Sequence, residues 1–156
     1  MADFIFNISK GRFVEFNVRV DGNDPTASEV NMIVLNVTGI EADSVLIDKN
    51  DFADLVVGAT VEVTNSGYAG ERLSDTDLAT PAVDDGNDRF DITYPDRTFT
   101  SIVAGDVWND LVIGYDPLGT DVHSNIIPMS LHDFVVTPNG GNIVADFDAT
   151  ATQRAA

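Results

Sequence analysis

Val30-Asn31-Met32-Ile33-Val34-Leu35-Asn36-Val37 is the stretch that decides the fold class. It is rich in β-branched and apolar residues and is closed by Gly39. Such a run reads as a strand buried on both faces, in the middle of a sheet. On its N-terminal side, residues 11–20 alternate. Val14, Phe16, Val18 and Val20 share one face, and Phe13, Glu15, Asn17 and Arg19 the other. That period of two predicts a half-buried strand. It ends at Asp21-Gly22-Asn23-Asp24-Pro25, a dense run of turn-forming residues.

On the C-terminal side, Phe52, Leu55 and Val56 fall at i, i+3 and i+4, with Asp48 or Asn50 as the cap and Gly58 as the stop. This predicts one short helix over about residues 50–57. Beyond it, strands are expected near 60–63, 68–73, 90–94, 99–103, 107–115 and 126–136, with Pro128 placing the last at an edge or bulge. Asn139-Gly140-Gly141 predicts a hairpin that returns from that strand into residues 143–147. Seven to nine strands and one short helix make the chain mainly β: an antiparallel β-sandwich or a partly open β-barrel. Residues 1–156 are expected to form a single domain. An extended N-terminal arm is expected at 2–9 and a frayed C-terminal tail at 149–156.

Composition narrows the function. The chain has 26 acidic residues against 8 basic ones, a formal net charge of -18. Asp outnumbers Glu 21 to 5, and Lys occurs only at Lys10 and Lys49. Nucleic-acid binding needs clustered cations, which this balance does not supply. With no Cys there is no disulfide framework and no thiolate chemistry. Hydrophobic residues make up 44% of the chain, too many for a polyacidic disordered segment. The start, Met1-Ala2-Asp3-Phe4-Ile5-Phe6, has no basic leader, and no apolar run is long enough to span a bilayer. Synthesis in a host cytoplasm with no membrane partner is the expectation.

Catalytic and metal chemistry find little footing. His123 and His132 (beside Asp133) are the only histidines, with Ser124 and Ser130 nearby, but no G-x-S-x-G frames either serine. Acidic turns at Asp84-Asp85-Gly86-Asn87-Asp88 with Asp91, at Asp21-Gly22-Asn23-Asp24, and at Asp48 with Asn50 could wrap Ca²⁺. None fits the spacing of a twelve-residue calcium loop, and a solvated acidic turn is the plainer reading. No phosphate-cradling loop is present. No catalytic, cofactor-binding or metal-ligating residue is therefore assigned, and no cofactor is expected.

Four stretches resemble a group of small virion proteins of tailed bacteriophages. They are Gly11-Arg12-Phe13-Val14-Glu15 with Arg19-Val20 and Asn23-Asp24-Pro25; Thr64-Asn65-Ser66-Gly67-Tyr68-Ala69; Asn87-Asp88-Arg89-Phe90-Asp91; and Ile127-Pro128-Met129-Ser130-Leu131-His132-Asp133-Phe134. Where the group tends to continue with Arg-Lys after Tyr-Ala, this chain has Gly70-Glu71. The resemblance implies a non-enzymatic capsid decoration, or cement, protein whose partner is the major capsid protein. A homo-oligomer would suit local symmetry axes, a trimer above all. The charge implies the outer capsid surface, away from packaged DNA. A tail or head–tail junction component, terminator or tube, is the alternative. A calcium-dependent carbohydrate- or cell-binding module using the 84–91 loop is a further one.

Overall fold

The computed structural model describes residues 3–147 and the backbone of 153–155. In chain order its elements are β1 (Phe4–Ile5), a 3-10 turn (Asn7–Ser9), α1 (Phe13–Asp21), β2 (Glu29–Asn36), α2 (Asp43–Leu46) and α3 (Phe52–Leu55). Then come β3 (Glu71–Leu73), β4 (Ala82–Asp84), β5 (Arg89–Ile92), β6 (Arg97–Phe99) and β7 (Trp108–Asp116). A second 3-10 turn (His123–Asn125), β8 (Ile127–Val136), β9 (Ile143–Ala145) and β10 (Gln153–Ala155) complete it. The fold is mainly β, and every strand pairing is antiparallel.

The largest sheet has the order β1-β8-β7-β2-β3, with smaller sheets β10-β5-β4 and β6-β9. As its apolar run predicts, β2 is buried on both faces. Val30, Met32 and Val34 meet Leu111, Ile113 and Tyr115 in one core, which α1, Ile92, Tyr94, Phe99 and Ala145 cover. Ile33, Leu35, Val112 and Leu131 form the other, under Phe6, Leu46, Phe52, Leu55 and Ile126. The small sheets and α1 therefore close one side of the large sheet in sandwich-like fashion, and the N-terminal aromatics with α2 and α3 close the other.

Residues 11–20 are not a strand. From Phe13 onward they lie in α1, the longest α-helix among the described residues. Its buried residues are Phe13, Phe16, Asn17 and Val20, spaced i, i+3, i+4, i+7, while Val18 stays 46% exposed. The apparent alternation arises because two of the helix's four inward positions, 16 and 20, are also even-numbered valine or phenylalanine sites. Asn17 settles the choice. Its Nδ2 donates to the Phe13 carbonyl at 2.7 Å, and its Oδ1 accepts the Tyr94 hydroxyl at 2.6 Å. A buried amide so satisfied is cheap in the helix and would be exposed in the predicted strand.

Other expectations change in detail. The predicted helix at 50–57 contracts to α3, and its cap is Asp51 rather than Asp48 or Asn50: Asp54 N–H donates to Asp51 Oδ1 at 2.7 Å. Among the described residues three α-helices replace the single one. Pro128 does mark a bulge, since Ile113 pairs with Ser130 but the next residue, Gly114, pairs with Pro128. The hairpin after Asn139 does not form. β9 pairs with β6, and the Gly140-Gly141 backbone is taken up by Ile102, which accepts from Gly140 N–H at 2.8 Å and donates to Gly141 O at 3.0 Å.

Nor do residues 3–9 form an extended arm. β1 pairs with Leu131 and Ser130, Phe6 N–H donates to Met129 O at 3.0 Å, and Phe6 and Ser9 are fully buried. An aromatic pair, Phe4 on Phe6, anchors the segment to the second core, where burying such rings outweighs the entropy of ordering a few residues. Of the tail expected to fray, 153–155 instead adds a third strand beside β5. Positions 2, 149–152 and 156 lie outside the described residues.

Candidate functional site

β8 carries the feature most like catalytic chemistry. Side chains two residues apart in a strand share a face, so Ser130 and His132 stand together, with Ser130 Oγ 2.9 Å from His132 Nε2. The strand pairing of β1 then brings Asp3 alongside: its Oδ2 lies 3.5 Å from His132 Nδ1, and its Oδ1 accepts the Asp133 N–H at 2.9 Å. A serine, a histidine and an aspartate are thus connected in order. Reading along the chain misses this set because Asp3 joins from the far end of the sequence, and because Asp133 is the sequence neighbour of His132 but not its partner. The i, i+2 spacing of Ser130 and His132 is the only local trace.

Connectivity is not access. Ser130 is fully buried, so no substrate carbonyl can approach its hydroxyl in this conformation. A nucleophile needs a reachable oxygen and donors for the developing oxyanion. Burial holds the His132 imidazole below its ordinary pKa, with Asp3 opposing. The contacts of the trio tie Asp3, just ahead of β1, to β8.

The acidic turn at 84–91 closes on a cation that the chain itself supplies. Arg89 Nε lies 2.9 Å from Asp84 Oδ2 and 3.1 Å from Asp91 Oδ1, and Asn87 Nδ2 donates to Asp84 Oδ2 at 2.7 Å. That hydrogen bond from Asn87, with the charge of Arg89, holds the Asp84 carboxyl below its ordinary range. In the 21–24 turn Asn23 Oδ1 accepts the Ala27 N–H at 2.7 Å, so its side chain shapes the turn. Asp48 accepts from Asn7, and Asn50 N–H donates to Asp54 Oδ2. Among the described residues, no three His, Asp or Glu side chains gather closely enough to hold a metal ion by themselves.

A second polar group forms between β2, the 60–68 segment and the loop after β7. Tyr68 donates its hydroxyl proton to Glu62 Oε1 at 2.7 Å and accepts the Val34 N–H at 2.9 Å. Glu62 Oε2 faces His123 Nε2 at 3.7 Å, and Phe52 packs edge-on against that imidazole. Beside them Asn31 Nδ2 donates to Asp121 Oδ1 at 3.0 Å. Burial pushes the Glu62 carboxyl up, against the pull of Tyr68 and His123, and Asp121 adds to the rise. Asn31, Glu62 and Asp121 escape a linear reading, since their strand and loops meet only through sheet register.

Asp110 is the most deeply buried carboxylate with an open valence. It is 0% exposed, its Oδ2 accepts from Asn109 Nδ2 at 2.8 Å, and its Oδ1 has no hydrogen-bond partner. Burial pushes its carboxyl up, and Asp133, its cross-strand partner, and Asp43 add to the rise. A raised folded-state value means that ionisation opposes folding. Stability attributable to Asp110 is therefore present at acid pH and lost as pH rises through that value. Asp110→Asn is expected to be more stable than the parent at pH 8 by about 1–3 kcal/mol, with the difference shrinking toward pH 4. Urea melts of both proteins across that range measure it, and a gap that does not change with pH would refute the assignment.

Comparison with protein-family models, with curated proteins and with solved structures finds no match. Among the described residues, no helix is long and apolar enough to cross a membrane.

Proposed function

We propose that the chain is a non-enzymatic decoration, or cement, protein of a tailed-bacteriophage head. It binds the outer capsid surface and stabilises contacts between major capsid protein subunits, acting as a homo-oligomer, with a trimer favoured. The carrying observation is the net charge of -18 borne on a β scaffold whose connections hold many of the carboxylates. Asp21, Asp24, Asp75, Asp85, Asp88 and Asp96 all lie in or beside the connections between elements. A charge coat of that kind is repelled by packaged DNA and is tolerated on the water-facing side of a shell. The sequence resemblance points to the same class, and the burial of Ser130 favours a structural role over a hydrolytic one.

The mechanism is linkage. A protein that binds the assembled shell and not its disrupted form stabilises the shell by its binding free energy. Heating virions with and without the protein while following genome release tests this. The expected result is release at lower temperature without it, and equal release temperatures would end the cement reading. Counting copies per particle separates the tail alternative, for which a ring of roughly six would replace hundreds on the head.

A further inference from the structure

We propose that Asn139 is a site of spontaneous deamidation whose rate is set by the opening of its loop from the 101–102 backbone. Asn139-Gly140 is the chain's single Asn-Gly pair. Such a pair is the most reactive setting for an asparagine, because glycine leaves the following backbone nitrogen unshielded. The fold keeps that nitrogen approachable. Gly140 has φ +94, and a carbon built on it would meet nothing within 4 Å. Asn139, Gly140, Gly141 and Asn142 are all exposed.

The carboxamide lies over the backbone it would join. Asn139 Oδ1 accepts the Gly141 N–H at 3.1 Å, and a carbon built on Gly141 would fall 3.1 Å from the same oxygen. That donor folds the side chain back toward Gly140 and stabilises the negative charge that develops on Oδ1 during attack. The reaction is a net hydrolysis. The Gly140 nitrogen gives its proton to hydroxide and bonds to Asn139 Cγ; the Cγ–Nδ2 bond breaks, and ammonia leaves with a proton taken from water. Water then opens the succinimide ring at one carbonyl or the other, which yields aspartate or isoaspartate.

What restrains the reaction is a grip on the same nitrogen. Gly140 N–H donates to Ile102 O at 2.8 Å, Ile102 N–H donates to Gly141 O at 3.0 Å, and Ser101 N–H donates to Asn142 Oδ1 at 2.9 Å. The nitrogen can neither lose its proton nor turn toward Cγ until these bonds open. One net hydrogen bond is worth roughly fivefold in an equilibrium, so opening all three slows the folded chain about a hundredfold. Asn65-Ser66 is the contrast within the same fold. Asn65 is buried, its Oδ1 accepts the Trp108 Nε1–H, and its Nδ2 donates to the carbonyls of Val103 and Asp106. Its amide is locked on both ends. At Asn139 either product adds a negative charge to the chain's -18, and isoaspartate also inserts a main-chain carbon beside the Ile102 contact.

Peptide mapping by mass spectrometry tests this, on the whole chain held folded in mildly alkaline buffer and on the same chain in urea. Conversion at Asn139 and not at Asn65 is expected in the folded protein, about a hundredfold slower at Asn139 than in urea. Asn142 is exposed, so Asn142→Ala should fold normally, lose the Ser101 bond and speed conversion of Asn139 roughly fivefold, with no change in urea. No conversion in the folded parent or the folded variant, while the urea samples react, would overturn the site. Equal rates in buffer and urea, or equal rates for folded parent and variant, would overturn the gating by the 101–102 backbone.

Discussion

Replacing Trp108 with Ala is expected to remove about 3–5 kcal/mol of folding stability, a fall in Tm of roughly 6–20 °C for a chain of this size. Trp108 is the largest fully buried side chain. It packs edge-on against Phe99 at 5.0 Å and Tyr68 at 5.7 Å between ring centroids, with Phe134 at 6.0 Å. These rings join β6, the 60–68 segment and β8 to the start of β7, so the cavity would open where three parts of the chain meet. The indole also carries a bond: Nε1 donates to Asn65 Oδ1 at 2.9 Å, while Asn65 Nδ2 donates to the carbonyls of Val103 and Asp106. Trp108→Phe keeps most of the apolar area and strips that bond, so its cost should be smaller, about 1–3 kcal/mol. Urea unfolding followed by circular dichroism gives both values. A loss below about 1.5 kcal/mol for Trp108→Ala would mean that the site collapses around the gap, contrary to the packing described.

Which parts of this architecture the sequence reveals follows from where each element sits. β2 and β7 are covered on both faces, so their middles are continuous apolar runs, and Met32-Ile33-Val34-Leu35 and Leu111-Val112-Ile113 are left in plain view. Pro128 is legible for a similar reason, since a residue without an N–H can only sit at an irregularity of the ladder. α1 is not legible from periodicity, because its inward set mixes Phe, Asn and Val. The fact that decides it, Asn17 bonded to Tyr94 from 77 positions away, is tertiary. The failed hairpin after Asn139 is of the same kind: local turn chemistry is favourable, but Ile102 competes for the glycine backbone and wins. Both polar groups on the sheet, Ser130–His132–Asp3 and Asn31–Asp121, depend on register between segments 90 or more residues apart. Composition guides only part of the charge placement: Asp favours turns whatever the topology, yet Asp110 and Asp116 lie buried in β7.

Gly119→Ala is the second large effect expected, about 3–4 kcal/mol of destabilisation, which combines overpacking with left-handed strain. Gly119 has φ +59, and a Cβ built there would fall on the Ala27 carbonyl oxygen, with the carbonyl carbon 3.1 Å away. Neither side can yield cheaply. Asp116 accepts the Leu118 N–H through Oδ1 and the Thr120 N–H through Oδ2, each at 2.9 Å, which pins the backbone on both sides of the glycine. On the opposite side, Ala27 N–H donates to Asn23 Oδ1 at 2.7 Å and Ser28 N–H to Pro25 O at 3.0 Å. Gly140→Ala isolates the strain from the clash. Its φ of +94 lies outside the left-handed well and is no easier for a side chain than +59, but nothing lies within 4 Å of the added carbon, so only about 1–2 kcal/mol should be lost. Chemical denaturation of the two variants side by side checks this, and equal losses would show that the Ala27 contact is soft.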